Sequence, residues 1–330
     1  MASAALALSC AHALAASNCK LVKIAEWQVS PQSGRLIVEG AINGQKVGVL
    51  LDTGAQQSFI LRAAADRIGL TRQEARGYRA AGVGGETHVE YAVIDEFKLG
   101  TATRKTWRVF VLGERDLGRE YAFLLGYDFF EQVDIEFDLP NNAVRLFQAL
   151  DCGDAPLAYW ARGAAGVVKL EVDNEKPAIL VTAKLNGKPL LAEIDTGAGS
   201  SVLSRLMASS VGITSQTPGV VAAGRSGGLG ASRPDQWIGS FESFSIGDEL
   251  IRNPDLRFTS LEVSGSETGT RLATRRELRE MLLGLDFLRA HRVYVAHSQR
   301  KLYFTYAGGR VFSAPRLQPQ KPETPSKPGV

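Results

Sequence analysis

The feature that most constrains this chain is that it repeats itself. Ile42-Asn43-Gly44 returns as Leu185-Asn186-Gly187, and Asp52-Thr53-Gly54-Ala55 returns as Asp195-Thr196-Gly197-Ala198, both at an offset of 143 residues. Across 43–71 against 186–214, eleven of 29 positions are identical, ending on Arg62/Arg205, Gly69/Gly212 and Thr71/Thr214. Unrelated segments would share about two at average residue usage. Further on, Leu124-Leu125-Gly126 with Asp128 and Phe129 reappears as Leu282-Leu283-Gly284 with Asp286 and Phe287, at an offset of 158. The second half therefore carries a net insertion of 15 residues, assigned mostly to the polar tract Ser264–Leu278. A chain of 330 residues has room for about two domains. The repeat makes them copies of one unit.

Each half reads the same way. An apolar run (Val47–Leu51; Leu190–Ile194) follows an Asn-Gly turn signal and ends at Asp-Thr-Gly, as a strand does on entering a tight loop. A helical pattern follows, over Ile60, Ala64 and Ile68 in one half and Val202, Leu206 and Val211 in the other, with Gly69 and Gly212 where a helix would stop. Short strands and a Gly-rich segment come next, Gly82–Gly85 and Gly227–Gly230. A hairpin closes each half: Val133–Asp138 with Val144–Phe147, and Val293–Ala296 with Lys301–Phe304. The pattern predicts a mainly β chain with short helices. Its segments are a first lobe over 20–150, an Ala/Gly-rich linker over 151–166, a second lobe over 167–308 and a Pro-rich tail over 309–330.

Composition removes several classes of function. Hydrophobic residues at 45% and charged ones at 22% argue against a mainly disordered chain. A net charge of +3 is a weak balance for a nucleic-acid binder, so none is expected as partner. Four His and three Cys, with no Cys-x-x-Cys or His-Glu-x-x-His, leave little material for a metal cluster, and the two-carboxylate chemistry read below needs no metal or organic cofactor. His88, His291 and His297 lack ligand spacing and read as surface or packed residues. The tryptophans 27, 107, 160 and 237 read as packing residues, and Arg271–Glu280 as a solvated helix face.

Residues 1–16 form an uncharged Ala/Leu stretch too short to span a bilayer, with small residues at Ala13, Ala15 and Ala16 that fit a signal-peptidase site. The reading is a signal peptide and an exported, periplasmic or secreted product with no integral membrane segment; the missing basic n-region leaves an Ala-rich leader as the alternative. Cleavage would leave Cys19 and Cys152, either as a disulfide or as two unpaired thiols.

An Asp at a strand end in one lobe, repeated in the other, points to two carboxylates meeting across a pseudo-twofold axis. At hydrogen-bond reach they cannot both ionise cheaply, so they share a proton and titrate as a pair. Such a pair suits amide hydrolysis: the ionised member draws a proton from a bridging water while the protonated one hydrogen-bonds the scissile carbonyl. On this reading Asp52 and Asp195 are catalytic. Thr53 and Thr196 fix the loops by donating across the axis. Gly54 and Gly197 let backbone N–H groups reach the carboxylates.

These residues resemble the aspartic protease family, and its retropepsin branch more than the pepsins. Asp52-Thr53-Gly54-Ala55 and Asp195-Thr196-Gly197-Ala198 match the retropepsin motif, with Ala where pepsins carry Ser or Thr, and Leu124–Gly126 and Leu282–Gly284 match the paired apolar residues and Gly that thread beneath each catalytic loop. The resemblance covers roughly Arg35 to Phe304. It implies a duplicated, two-lobed acid-protease β-barrel fold, an aspartic endopeptidase acting on peptide or protein substrates, and a flap at Val83, Gly84 and Gly85, with Gly227–Gly230 as a lesser counterpart. It also departs from the pattern: retropepsins usually pair two chains, whereas one chain here supplies both halves, which is compatible with a monomer. A non-catalytic peptide-binding module, or a processing enzyme gated by the 264–278 insertion, are the rival readings.

Overall fold

The computed structural model describes residues 18–29, 34–113, 118–175, 177–230, 232–264, 275–277 and 279–312. The leader (1–16), most of the insertion and the tail beyond residue 312 lie outside them. No helix among the described residues is long and apolar enough to cross a membrane.

The first lobe is a seven-stranded sheet in the order Ile37–Ile42, Gln45–Leu51, Phe123–Leu125, Phe59–Leu61, Ala102–Leu112, Gly85–Leu99, Arg72–Gly82. Ile37–Ile42 also pairs with Gly85–Leu99, so the sheet closes on itself. Its turns are legible residue by residue. Asn43 and Gly44 both take positive φ (49° and 80°), as do Asn186 and Gly187 (48° and 78°), which is the backbone a two-residue hairpin loop demands. The three strands after the helix are longer than predicted, at 11, 15 and 11 residues. Alternation over Gly85–Leu99 sustains them, with Val89, Ala92, Ile94, Phe97 and Leu99 buried.

The predicted helices are shorter than their periodicity suggested. Ile60 belongs to strand Phe59–Leu61 and Val202 to strand Val202–Ser204; the helices begin only at Arg62 and Arg205. Apolar i, i+4 spacing cannot separate a buried strand from the helix that follows it. Gly69, in the left-handed region at φ 79°, ends the first helix as expected.

Phe123–Leu125 runs parallel to Gln45–Leu51 on one side and antiparallel to Phe59–Leu61 on the other, threading between the two strands that flank the Asp52 loop. Met281–Leu283 does the same between Lys188–Ile194 and Val202–Ser204 in the second lobe. Equivalent hydrogen bonds carry the two offsets: Leu61 N donates to Ala122 O (2.9 Å) as Ser204 N does to Glu280 O (2.8 Å), and Leu51 N to Leu36 O as Ile194 N to Ile179 O.

The closing hairpins do more than end each half. Lys20–Gln28, Ala143–Leu150, Asp134–Asp138, His291–Ala296, Lys301–Tyr306 and Gly166–Glu171 form consecutive strands of one sheet. The lobes meet in its middle, where Phe137 pairs with Val293, Glu136 with Tyr294 and Ile135 with Val295. Alternation along Asp134–Asp138 puts Ile135 and Phe137 on one face and three carboxylates on the other, all buried. Residues 151–166 connect the lobes, but as a packed cover: Cys152 and Leu157 are buried against Phe147, Tyr294 and Tyr303. Cys19 and Cys152 are joined by a disulfide.

Two further boundaries move. Phe312 is buried against Phe244 and Phe287, so the second lobe's core reaches past residue 308. Within the insertion, Arg275–Glu277 is a strand paired with Glu262–Ser264, where a helix was expected.

Candidate active site

Each Asp-Thr-Gly-Ala stands in a loop between the end of a barrel strand and the short strand that leads into the helix. Asp52 Oδ1 accepts the N–H of Gly54 (3.1 Å) and of Ala55 (3.2 Å). Asp195 Oδ1 accepts those of Gly197 (2.8 Å) and Ala198 (3.1 Å). Both side chains are partly exposed. The two loops lie against each other: a Cβ on Gly54 would sit 2.5 Å from Asp195 Cγ, and one on Gly197 2.5 Å from Asp52 Cγ. Each glycine is therefore the floor on which the other loop's carboxylate rests, and any side chain there would force the pair apart.

The threonines lock this arrangement. Thr53 Oγ1 donates to Ile194 O (2.7 Å) and accepts Thr196 N–H (3.1 Å); Thr196 Oγ1 donates to Leu51 O (2.7 Å) and accepts Thr53 N–H (2.9 Å). Both are fully buried, so each hydroxyl satisfies backbone groups that no water reaches.

A second matched pair lies beneath. Ser58 donates its N–H (2.8 Å) and hydroxyl (2.7 Å) to Asp128 and accepts Gly126 N–H (3.0 Å). Ser201 does the same with Asp286 (2.8 and 2.6 Å) and Gly284 (3.0 Å). These clamps tie each Asp loop to the strand threaded under it. Ser58 and Ser201 are among the eleven repeat identities, so the signal was present, but no spacing or motif pointed to Asp128 and Asp286 as their partners.

The electrostatics follow from this packing. Burial first, then the neighbouring Asp195 charge, raises the Asp52 carboxyl above the usual range, with the Glu193 charge adding to it and the Ala55 and Gly54 N–H groups opposing it. Burial likewise raises Asp195, while the Gly197 and Ala198 N–H groups and a hydrogen bond with Asp52 pull the other way. Each carboxyl therefore lies in surroundings that disfavour its charged form.

The Gly-rich segments also meet. Val83 and Gly84 form the tip of the hairpin made by Arg72–Gly82 and Gly85–Leu99. Across from it, residues 226–234 link strands Val221–Arg225 and Asp235–Ser240, a much shorter hairpin. Gly230 N–H donates to Val83 O (3.2 Å), and Ser232 donates both N–H (3.0 Å) and hydroxyl (2.5 Å) to Gly84 O. Side chains on Gly84 or Gly230 would collide with the opposing backbone.

The remaining candidates serve packing. His291 is fully buried, with its ring nitrogens against Phe287 O and Glu249. Burial pushes His297 down to about 4. Trp27 and Trp107 are core residues, and Trp160 and Trp237 lie half-buried against it.

Fold and site together define a two-lobed β protein with one carboxylate from each lobe at the junction. The family described as "Aspartyl protease" matches at residues 38–129 and 181–287, more than half of the chain. The chain belongs to that family, and is a hydrolase of the aspartic-peptidase type. Among solved structures it is similar to an aspartic proteinase from Irpex lacteus, at TM-score 0.49 and 10% identity, over 86% of this chain and 97% of that one. It is also similar to a retropepsin-like aspartic protease from Rickettsia conorii, at TM-score 0.28 and 18% identity, over 40% of this chain and 94% of that one. No curated protein matches the sequence significantly.

Proposed function

We propose that the protein is a single-chain endopeptidase in which Asp52 and Asp195 share the acid–base work of peptide hydrolysis. The observation that carries this reading is the reciprocal seating of the two loops, each glycine lying under the other's carboxylate. A water held between the carboxyls is deprotonated by the ionised member and attacks the scissile carbonyl carbon. The protonated member gives its hydrogen bond, then its proton, to the carbonyl oxygen, producing a tetrahedral diol. Collapse returns the diol proton to a carboxylate, delivers a proton to the amide nitrogen and breaks the C–N bond.

Thr53 and Thr196 hold the two halves of the dyad in register. Val83, Gly84 and Gly85 act as a flap whose tip, bonded to Gly230 and Ser232, must part from them to admit a peptide. Because one chain supplies both carboxylates, a monomer suffices. The disulfide supports folding in an oxidising compartment, hence an exported product. Incubating the protein with a denatured proteome between about pH 3 and 8 and reading cut sites by mass spectrometry tests the activity. New internal termini that pepstatin suppresses are expected; no cleavage at any pH would favour a peptide-binding module instead.

A further inference from the structure

The repeat supplies an internal control, because matched positions that differ show where the two lobes have been given different tasks. Two residues before each Asp, on the same face of the strand, the first lobe has Leu50 and the second Glu193. Their registers are equivalent: Leu50 pairs with Leu124, and Glu193 with Leu282. On the threaded strand's approach, Tyr121 in the first lobe answers to Arg279 in the second by the 158-residue offset.

The first pair is apolar and aromatic. Leu50 and Tyr121 are buried, with the Arg35 guanidinium 5.3 Å over the Tyr121 ring. The second is ionic: Arg279 Nε donates to Glu193 (2.5 Å) and its Nη1 to Asp173 (3.2 Å), with Arg279 and Glu193 each less than a tenth exposed. The flanking positions differ in the same sense. Gly48 lets the first lobe's chain close in, with Ala122 N–H on Gly48 O (2.9 Å). The second lobe has Leu191 there, its N–H taken by the Glu280 carboxylate (2.6 Å). Both walls border the dyad, since Leu50 and Glu193 each stand two residues before a dyad carboxylate on the same face of its strand, paired with the threaded strand that Tyr121 and Arg279 lead into.

We propose that Glu193 and Arg279 are specificity-determining residues that make the cleft read a peptide asymmetrically. An apolar or aromatic side chain lies against the Leu50–Tyr121 wall, and a polar, hydrogen-bonding one against the Glu193–Arg279 wall, on opposite sides of the scissile bond. The inference rests on the peptidase reading above. An apolar substrate group on the ionic wall would strip water from charges without replacing its hydrogen bonds, the kind of mismatch that discriminates strongly. A chain whose walls were identical would read both sides alike; this one does not.

The test is the cut-site profile of the full-length protein on proteome-derived peptides, beside the double variant Glu193→Leu/Arg279→Tyr. That variant copies the first lobe's own pair and leaves neither Glu193 nor Arg279 behind as an uncompensated charge. The wild type should cut between one apolar and one polar residue. The variant should lose ~10-fold or more in kcat/KM on such sites and gain on doubly apolar ones. An unchanged profile in the folded variant overturns the inference. So does a wild-type profile that is apolar on both sides, whether or not the variant folds. A wild type that cuts nothing overturns the peptidase reading, and the inference with it.

Discussion

At the scale of single residues, the site is built on groups with no freedom to be anything else. Thr53 and Thr196 each spend their hydroxyl on the opposite lobe's backbone. Thr53→Val keeps the shape but orphans Ile194 O and Thr196 N–H, so stability should fall by about 1–3 kcal/mol, measured by denaturant titration. Activity should fall through kcat more than KM, because dyad geometry is lost before peptide contacts. Ala55 makes a prediction about pH. A Ser there would donate a further hydrogen bond to Asp52 and favour its charged form. Wild type should therefore peak at mildly acidic to near-neutral pH, and Ala55→Ser should shift the acidic limb of the pH–rate profile downward. A wild-type optimum near about pH 2 would contradict this. The catalytic candidates were legible because duplication wrote them twice. Glu193 and Arg279 were not, because they are the places where the copies disagree, and a mismatch in a repeat resembles drift until its partner is seen.

At the scale of elements, local chemistry was readable and pairing was not. Both Asn-Gly hairpins and the Gly69 helix stop follow from which residues tolerate positive φ. The helices were over-extended because Ile60 and Val202 fit two periodicities at once. The basic run after residue 271 looked helical, yet Arg275–Glu277 pairs as a strand. The disulfide belongs to this scale as well. It ties the start of the Lys20–Gln28 strand to the segment after Ala143–Leu150, closing 133 residues. Cys19→Ser/Cys152→Ser should lower unfolding stability by about 2–5 kcal/mol under oxidising conditions. A thiol count on unreduced protein should find neither Cys19 nor Cys152 free; two free thiols from that pair would contradict the bond.

At the scale of the whole molecule, the lobes are joined at the dyad loops, at the hairpin tips and through the shared sheet. That sheet could not be foreseen, because strand order between two halves leaves no periodic trace. Its buried face gathers Glu136 with Arg292 and Tyr159, and Asp138 with Arg145, drawing on both lobes and the linker. Arg292→Met would strip Glu136 of its second-lobe cation while Arg145 and the Tyr159 hydroxyl stay on it, and should cost about 1–3 kcal/mol in thermal or denaturant unfolding.

If Asp52 and Asp195 form one proton-sharing catalytic unit, Asp52→Asn should break it without unfolding the protein. A carboxyl held above its ordinary range keeps its proton in the fold while the unfolded chain ionises, so the pair costs stability as pH rises past about 4. Asp52→Asn removes that cost. The variant should be a folded protein that cleaves nothing in the proteome assay. Its melting temperature should exceed wild type at neutral pH, with the gain fading toward acid. Cleavage that survives the substitution, at wild-type sites and comparable rate, would contradict it.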